Sequence, residues 1–311
     1  MRLVKKRLYY SDHHRIPLPP IHKFPAEKYA IVRKLLEGRD GFDLCPAPQA
    51  RLEELEAAHD AAYVRAILDG TVDAGVMRRI GFPWSTPLVT RSLASVGGTL
   101  AAARDAMSSG FGGNLAGGTH HAFRTTGAGF CVFNDLAIAI LVLRREGLAR
   151  RAAVVDLDVH QGDGTASIFE GDDAVLTVSV HGENNFPFRK QRSCIDVGLA
   201  DGAGDAEYLD HVRHVLREVT AFRPDVVFYQ AGVDALAGDR LGRLALSEEG
   251  LVARDRLVFQ TVFSRTLPVV VTMGGGYSSP IERTAGAHAR TFLSAAEIRP
   301  VVKAARCESL H

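Results

Sequence analysis

In the segment DLDVHQGDG, Asp158 and His160 stand at i and i+2, which places both side chains on one side of an extended chain. Asp234, in AGVD (Ala231–Asp234), adds a second carboxylate from a later part of the sequence. Three protein ligands and an open position are what a catalytic metal needs. Oxygen and nitrogen ligation without thiolate suits Zn²⁺, with Fe²⁺ or Co²⁺ also tolerated. Taken alone, Asp156 and Asp158 read equally well as buried carboxylates capping loops. Other chemistry-bearing residues accompany them, and these favour a metal. His120 and His121 follow GGT in tandem. A metal hydrolase needs a base to take a proton from water and an acid to protonate the leaving amine. Asp156 and Asp163 are available to orient the two imidazoles. Tandem residues in extended chain face opposite sides, so one of them faces the water unless the turn redirects both; we assign His121 as the main base. Tyr277 follows three glycines, which let the backbone approach a site closely. Its hydroxyl can donate to the oxyanion of a tetrahedral intermediate, against the plainer reading of a surface tyrosine after a glycine turn.

These residues need a common frame. Apolar runs at Gly113–Ala116, Ala152–Asp158, Ala174–Val180, Asp225–Ala231 and Pro268–Met273 predict strands. Helices are predicted at Asp135–Arg145, Ala206–Phe222 and Ser247–Arg265 between them. Upstream, the pattern predicts helices at Ala26–Leu36, Glu53–Leu68 and Leu88–Met107, the last with a weak point at Gly97-Gly98 and preceded by a loop at Gly81–Trp84. Fully apolar strands alternating with helices indicate a parallel sheet covered on both faces. The expected architecture is one doubly wound α/β domain over residues 1–311. In such a sheet GGTHHA, DLDVHQGDG, SVHG, AGVD and MGGGY all emerge at the carboxyl edge, where open α/β folds place their sites.

The 311 residues are 46% hydrophobic and 23% charged, and Lys+Arg 37 against Asp+Glu 36 gives a net charge of +1. No basic excess points to nucleic acid. The four cysteines, Cys45, Cys131, Cys194 and Cys307, form no CxxC pair and read as reduced thiols. The opening MRLVKKRLYYSDHH lacks the apolar run of a signal peptide, and Leu136–Leu143 is far too short to cross a bilayer. The expectation is a soluble cytoplasmic protein with no membrane or nucleic-acid partner. QGDG does not match a P-loop, and no GxGxxG follows any strand. Asn134 or Asp135 suits the N-cap of the following helix. Phe130 or Phe133 can wall a substrate channel instead of joining the core. The charged NNFPFRKQR segment (Asn184–Arg192) reads as a rim loop, with Phe186 or Phe188 at the entrance.

Together, GGTHHA, GFCVFND, DLDVHQGDGT, SVH, AGVDALAGD and GGGY resemble, in order, the motifs of the histone deacetylase family of metal-dependent amidohydrolases. YYSDHH…HKFPAEKY and RRIGFPWS resemble bacterial members more loosely. The resemblance implies the arginase/deacetylase fold with a central eight-stranded parallel sheet. It implies zinc held by Asp158, His160 and Asp234, His121 as general base and acid, and His120 as the auxiliary histidine. Asp156 and Asp163 would be their carboxylate partners, and Tyr277 would stabilise the oxyanion. Phe130, Gly129, Gly275 and Phe188 (or Phe186) would form the substrate channel. A structural K⁺ would use Asp156, Asp158, His160, Ser179 and Val180, with a second monovalent site near Phe169, Asp172 and Val175. Gln161 stands where the commonest family pattern has His; HQG is similar to the class IV branch and its bacterial relatives. Asp73 is a loose match to an acidic rim residue that grips the substrate backbone in many members. The activity so implied is hydrolysis of acyl-lysine, acetyl or longer, with an acetylated polyamine or other small amide as the alternative substrate. A non-catalytic acyl-lysine binder and an arginase-like dimetal hydrolase are the competing classes.

Overall fold

The run AAVVD forms strand β4 (Ala152–Asp156), and its side chains alternate between two separate cores. Ala153 and Val155 enter one core, Ala152 and Val154 the other. Strands β7 (Val226–Gln230) and β8 (Val269–Thr272) divide in the same way, with Val227, Tyr229 and Val269 on one side and Phe228 and Val270 on the other. A strand buried on both faces has no polar side, which is why each reads as an unbroken apolar run. Each fully buried valine or phenylalanine contributes about 1.5–3 kcal/mol.

The computed structural model describes residues 5–298. Cys307 and the first four residues of the basic opening lie outside the described residues. The remaining strands are β1 (Lys6–Tyr10), β2 (Phe42–Pro46), β3 (Phe111–Asn114), β5 (Val175–Gly182) and β6 (Ile195–Leu199). All eight form one sheet of order β2-β1-β3-β8-β7-β4-β5-β6, and every pairing is parallel. Helices α1 (Lys28–Leu36), α8 (Asp205–Phe222), α9 (Glu248–Ser264) and α10 (Ile281–Glu297) cover one face. The other face carries α2 (Leu52–Leu55), α3 (Ala61–Asp69), α4 (Ala74–Ile80), α5 (Thr86–Ser109) and α6 (Asp135–Arg145); a short α7 (Asp163–Ile168) follows β4. This is the arginase/deacetylase architecture. No helix among the described residues is long and apolar enough to cross a membrane.

The chain leaves β3, lays down β4, β5 and β6 outward, and returns to fill the gap with β7 and β8. Strands β3, β8, β7 and β4, which carry the histidine, tyrosine and carboxylate loops, are therefore consecutive neighbours at the centre of the sheet. At their carboxyl ends the order reverses, and a crevice opens there.

Three departures from the sequence expectations have physical causes. Strands β1, β2 and β6 lack apolar runs because they are partly exposed, β2 and β6 as sheet edges. The helix expected over Glu53–Leu68 is split. His59 is buried at the break, its Nδ1 2.9 Å from the Phe123 carbonyl while its Nε2 accepts from the Asn134 N–H at 2.8 Å, and Asp60 then caps α3. Helix α5 runs unbroken through Gly97-Gly98. A Cβ on Gly97 would lie 2.0 Å from the Pro48 carbonyl oxygen, so the glycine permits a close backbone crossing. Gly97→Ala should therefore destabilise the fold by about 1–3 kcal/mol, the cost of overpacking, despite the better helix propensity of alanine. Urea unfolding checks this; an unchanged or raised midpoint would contradict it.

Candidate active site

The loop after β3 is held from both sides. Asp135 accepts from the backbone N–H of Gly118 at 3.0 Å and of Thr119 at 2.7 Å, and from the Thr119 hydroxyl at 2.6 Å. Asn134 is the actual cap of α6, accepting from the Ala137 N–H at 2.9 Å. Gln230, fully buried at the end of β7, donates to the Gly118 carbonyl at 2.8 Å and accepts from the Thr272 hydroxyl at 2.8 Å. Thus β3, β7 and β8 together fix the turn that follows, and this turn brings both tandem histidines inward. Their rings lie 4.1 Å apart, centroid to centroid. His120 Nδ1 is 2.6 Å from Asp156 Oδ2, and His121 Nδ1 is 2.6 Å from Asp163 Oδ1. Each carboxylate fixes its ring and leaves Nε2 as the unengaged nitrogen.

The two pairs differ electrostatically. Burial opposes charge on His120, but the carboxylates of Asp156 and Asp158 outweigh it and raise the imidazole to about 9. Burial also raises Asp156, so one proton belongs to this pair, and the more basic imidazole holds it. Burial lowers His121 to about 4, assisted by repulsion from His120 and only partly offset by Asp163. In the metal-free protein at pH 7, imidazole NMR should show His120 charged and His121 neutral. The His120 signal should titrate near pH 9 and that of His121 near pH 4. Two rings that titrate together near 6.5 would contradict this assignment.

Asp158, His160 and Asp234 are buried, and their donor atoms lie within 4.8 Å of one another. His160 Nδ1 faces Asp158 Oδ1 at 3.0 Å and Asp234 Oδ2 at 3.1 Å. Of the two carboxylates, Asp158 is the one hydrogen-bonded to this ring nitrogen, and Asp234 Oδ2 is left buried without a hydrogen bond. Burial disfavours the imidazolium, but the two carboxylates outweigh it and push His160 up to about 10. Burial and the neighbouring Asp158 push Asp234 up to about 6. Ligand atoms bonded to a small divalent cation at about 2.0–2.2 Å stand roughly 3 Å apart, which is the spacing of His160 Nδ1 from each of the two carboxylates. The residues fit a cation with oxygen and nitrogen ligands. Gly275 completes the cradle. Its N–H donates to Asp158 Oδ2 at 2.7 Å, and a Cβ there would lie 1.9 Å from Asp234 Oδ2.

A cleft of about 430 Å³ opens above this cluster, with His121, His160 and Tyr277 in its lining and Phe130 and Phe186 as walls. Phe186 packs edge-on to His121 at 4.9 Å. Phe188 is 85% exposed at the mouth, so Phe186 forms the inner wall that the sequence reading assigned first to Phe188. Gly129 lines the cleft, whereas Gly275 contacts Asp158 and does not line it. Phe133 is core. The Tyr277 phenol is held well above its ordinary range by burial and by Asp234 and Asp158, so it stays a neutral O–H donor. Its backbone N–H donates to Asp239 Oδ2 at 2.6 Å. Asp73 caps α4 through the Gly75 N–H and does not line the cleft among the described residues. Asp156 and Ser179 are register partners on β4 and β5, and the Ser179 hydroxyl meets His181 Nδ1 at 2.9 Å. Asp172, expected at a second monovalent site, is engaged by Arg144.

Several supporting residues escaped the sequence reading. Buried Lys28 donates to the Gly274 carbonyl at 3.0 Å and the Gly276 carbonyl at 3.4 Å, bracing the tyrosine loop. Arg254 is fully buried and donates to the Gly232 carbonyl at 2.5 Å and the Leu157 carbonyl at 3.3 Å, joining the two loops that carry the cluster. Gln161, which the sequence marks only as a departure from the commonest family pattern, donates to the Gln191 carbonyl at 2.7 Å and to Asp196 at 2.8 Å, tethering the rim loop to the β4 loop. A lone polar residue ending an apolar run, as in VVFYQ, was the available signal for Gln230.

The sequence profile of the histone deacetylase domain matches residues 22–292. An uncharacterized protein of Picosynechococcus sp. is 43% identical over 293 residues, covering 93% of this chain and 98% of the relative. Histone deacetylase 2 of Arabidopsis thaliana is 30% identical, covering 88% and 75% respectively. Histone deacetylase 8 of Xenopus laevis is 32% identical, covering 74% and 76%. The crystal structure of the HDA15 HD domain superposes with a TM-score of 0.77 at 22% identity, over 96% of this chain and 90% of that one, a likeness of fold.

Proposed function

The chain belongs to the histone deacetylase family of amide-bond hydrolases, and from that premise we propose that it is a zinc-dependent deacylase acting on acyl-lysine, acetyl or longer. The observation that carries this reading is the meeting of the Asp158–His160–Asp234 cluster, neutral His121 and protonated Tyr277 at one cleft with aromatic walls. Asp158, His160 and Asp234 would hold the zinc, which when bound polarises the amide carbonyl and lowers the pKa of water. Phe130 and Phe186 take the aliphatic lysine chain between them. His121 accepts a proton from the attacking water and returns it to the leaving amine. Asp163 keeps the His121 ring in the tautomer whose Nε2 is free for that transfer. His120, charged through Asp156, adds positive potential beside the developing oxyanion. The Tyr277 hydroxyl donates a hydrogen bond to the same oxygen. A structural K⁺ between β4 and β5, held by Asp156, Ser179 and the backbone oxygens of Asp158, His160 and Val180, would stiffen the ligand loop. The complete His121 and Tyr277 set speaks against a non-catalytic binder.

The test is a panel of peptides with lysine carrying acyl groups of increasing length, run on zinc-loaded protein with elemental analysis of the same sample. The expected result is one zinc per chain and, from at least one peptide, release of the acyl group as carboxylate with an unmodified lysine side chain left in the peptide. Tight binding without product would replace the reading by an acyl-lysine binder. Two transition-metal ions per active chain would replace it by a dimetal hydrolase.

A further inference from the structure

The mouth of the cleft carries arginines and no carboxylate. Arg79, Arg240 and Arg243 line it, and no acidic residue does so among the described residues. Their surroundings differ. Arg243 is already paired with Asp201 at 3.2 Å on the outer surface. Arg79 and Arg240 have no carboxylate partner among the described residues, and each is oriented by a neutral one. Arg79 donates to the Thr126 hydroxyl at 3.2 Å. Its backbone is fixed to the channel wall, because its carbonyl accepts from the Gly129 N–H at 3.0 Å and that of Ile80 from the Phe130 N–H at 2.7 Å. Arg240 Nε donates to the carbonyl of Tyr277 at 2.7 Å, which anchors its guanidinium beside that tyrosine and leaves the terminal nitrogens uncommitted. A neutral hydrogen-bond partner orients a guanidinium without cancelling its charge. Two such groups at one mouth create a positive potential that a substrate meets before its amide reaches the floor.

Resting on the deacylase reading above, we infer that Arg79 and Arg240 form an anion-recognising rim, and that the preferred substrates carry carboxylates on the amine side of the scissile amide. Guanidinium binds carboxylate in a bidentate fork, so the rim selects acyl-lysine flanked by acidic residues, or a small acyl-amine bearing its own carboxylate. Acetylated polyamines, whose free amines are cationic, meet repulsion.

The test compares kcat/KM for acetyl-lysine peptides flanked by aspartates, by serines and by lysines, with Nε-acetyl-lysine, its α-amide and N-acetylputrescine alongside. All are run on zinc-loaded enzyme at low salt and at roughly 0.5 M salt, where screening acts within a few ångströms. The aspartate-flanked peptide should exceed the lysine-flanked one by about tenfold or more at low salt, and the ratio should shrink at high salt. In Arg79→Glu and in Arg240→Gln the ratio should fall towards unity, whereas Arg213→Ala, on remote α8, should keep it. A preference for Nε-acetyl-lysine over its α-amide would identify the substrate's own carboxylate as the anion; a gain from acidic flanks would identify a peptide. Turnover of the serine-flanked peptide with equal or greater rates for lysine flanks or N-acetylputrescine would overturn the rim while leaving the deacylase reading intact. No turnover of any substrate would overturn both.

Discussion

Replacing His121 with alanine should lower kcat for an acetyl-lysine peptide by about 10²–10⁴-fold, the range for a positioned acid–base group, without loss of zinc. His121 is not one of the clustered donors; its Nδ1 is bound to Asp163, and its ring lines the cleft. Burial holds its pKa to about 4, so at pH 7 it is ready to accept a proton and needs none removed first. His120→Ala removes a charge and not this base, so its loss should be the smaller of the two. Zinc content and the unfolding midpoint, measured alongside, separate a chemical loss from a collapsed site. Wild-type turnover by a folded, zinc-loaded His121→Ala protein would end the assignment.

Tyr277→Phe should lower kcat by about 10²–10³-fold, as for loss of one oxyanion donor, with little change in KM. The substitution removes a single oxygen from a ring that packs 6.1 Å from Phe130 and 6.4 Å from His160. Wall and floor should therefore keep their shape, and the loss should appear in the chemical step. Steady-state kinetics across substrate concentration check the split. A rise in KM with kcat unchanged would make Tyr277 a binding residue instead.

Much of this site could be read in the sequence because of how a parallel sheet is buried. Strands β3, β4, β7 and β8 lie inside the sheet, and their loops carry the polar residues at one edge; the order of strands decided only that these four are adjacent. Asp158, His160 and Asp234 lie together in the structure, and so do the pairs His120–Asp156 and His121–Asp163. The rest depended on contacts between distant parts of the chain. Lys28 reaches Gly274 across 246 residues, and no local pattern marks it. Gly97 reads as a helix flaw until Pro48 is seen against it. The exchange of Phe188 for Phe186 turned on how one irregular loop folds back on His121. The rim arginines resemble ordinary surface charge until α4 and the loop after β7 place them at one mouth.

The most direct test of the central claim is turnover of an acetyl-lysine peptide by protein stripped of metal with a chelator, then reloaded with one equivalent of zinc. The account predicts no measurable hydrolysis after stripping and full recovery on reloading, because Asp158, His160 and Asp234 are the one group of side chains among the described residues placed to hold a metal ion. Hydrolysis that persists in verified metal-free protein would contradict it.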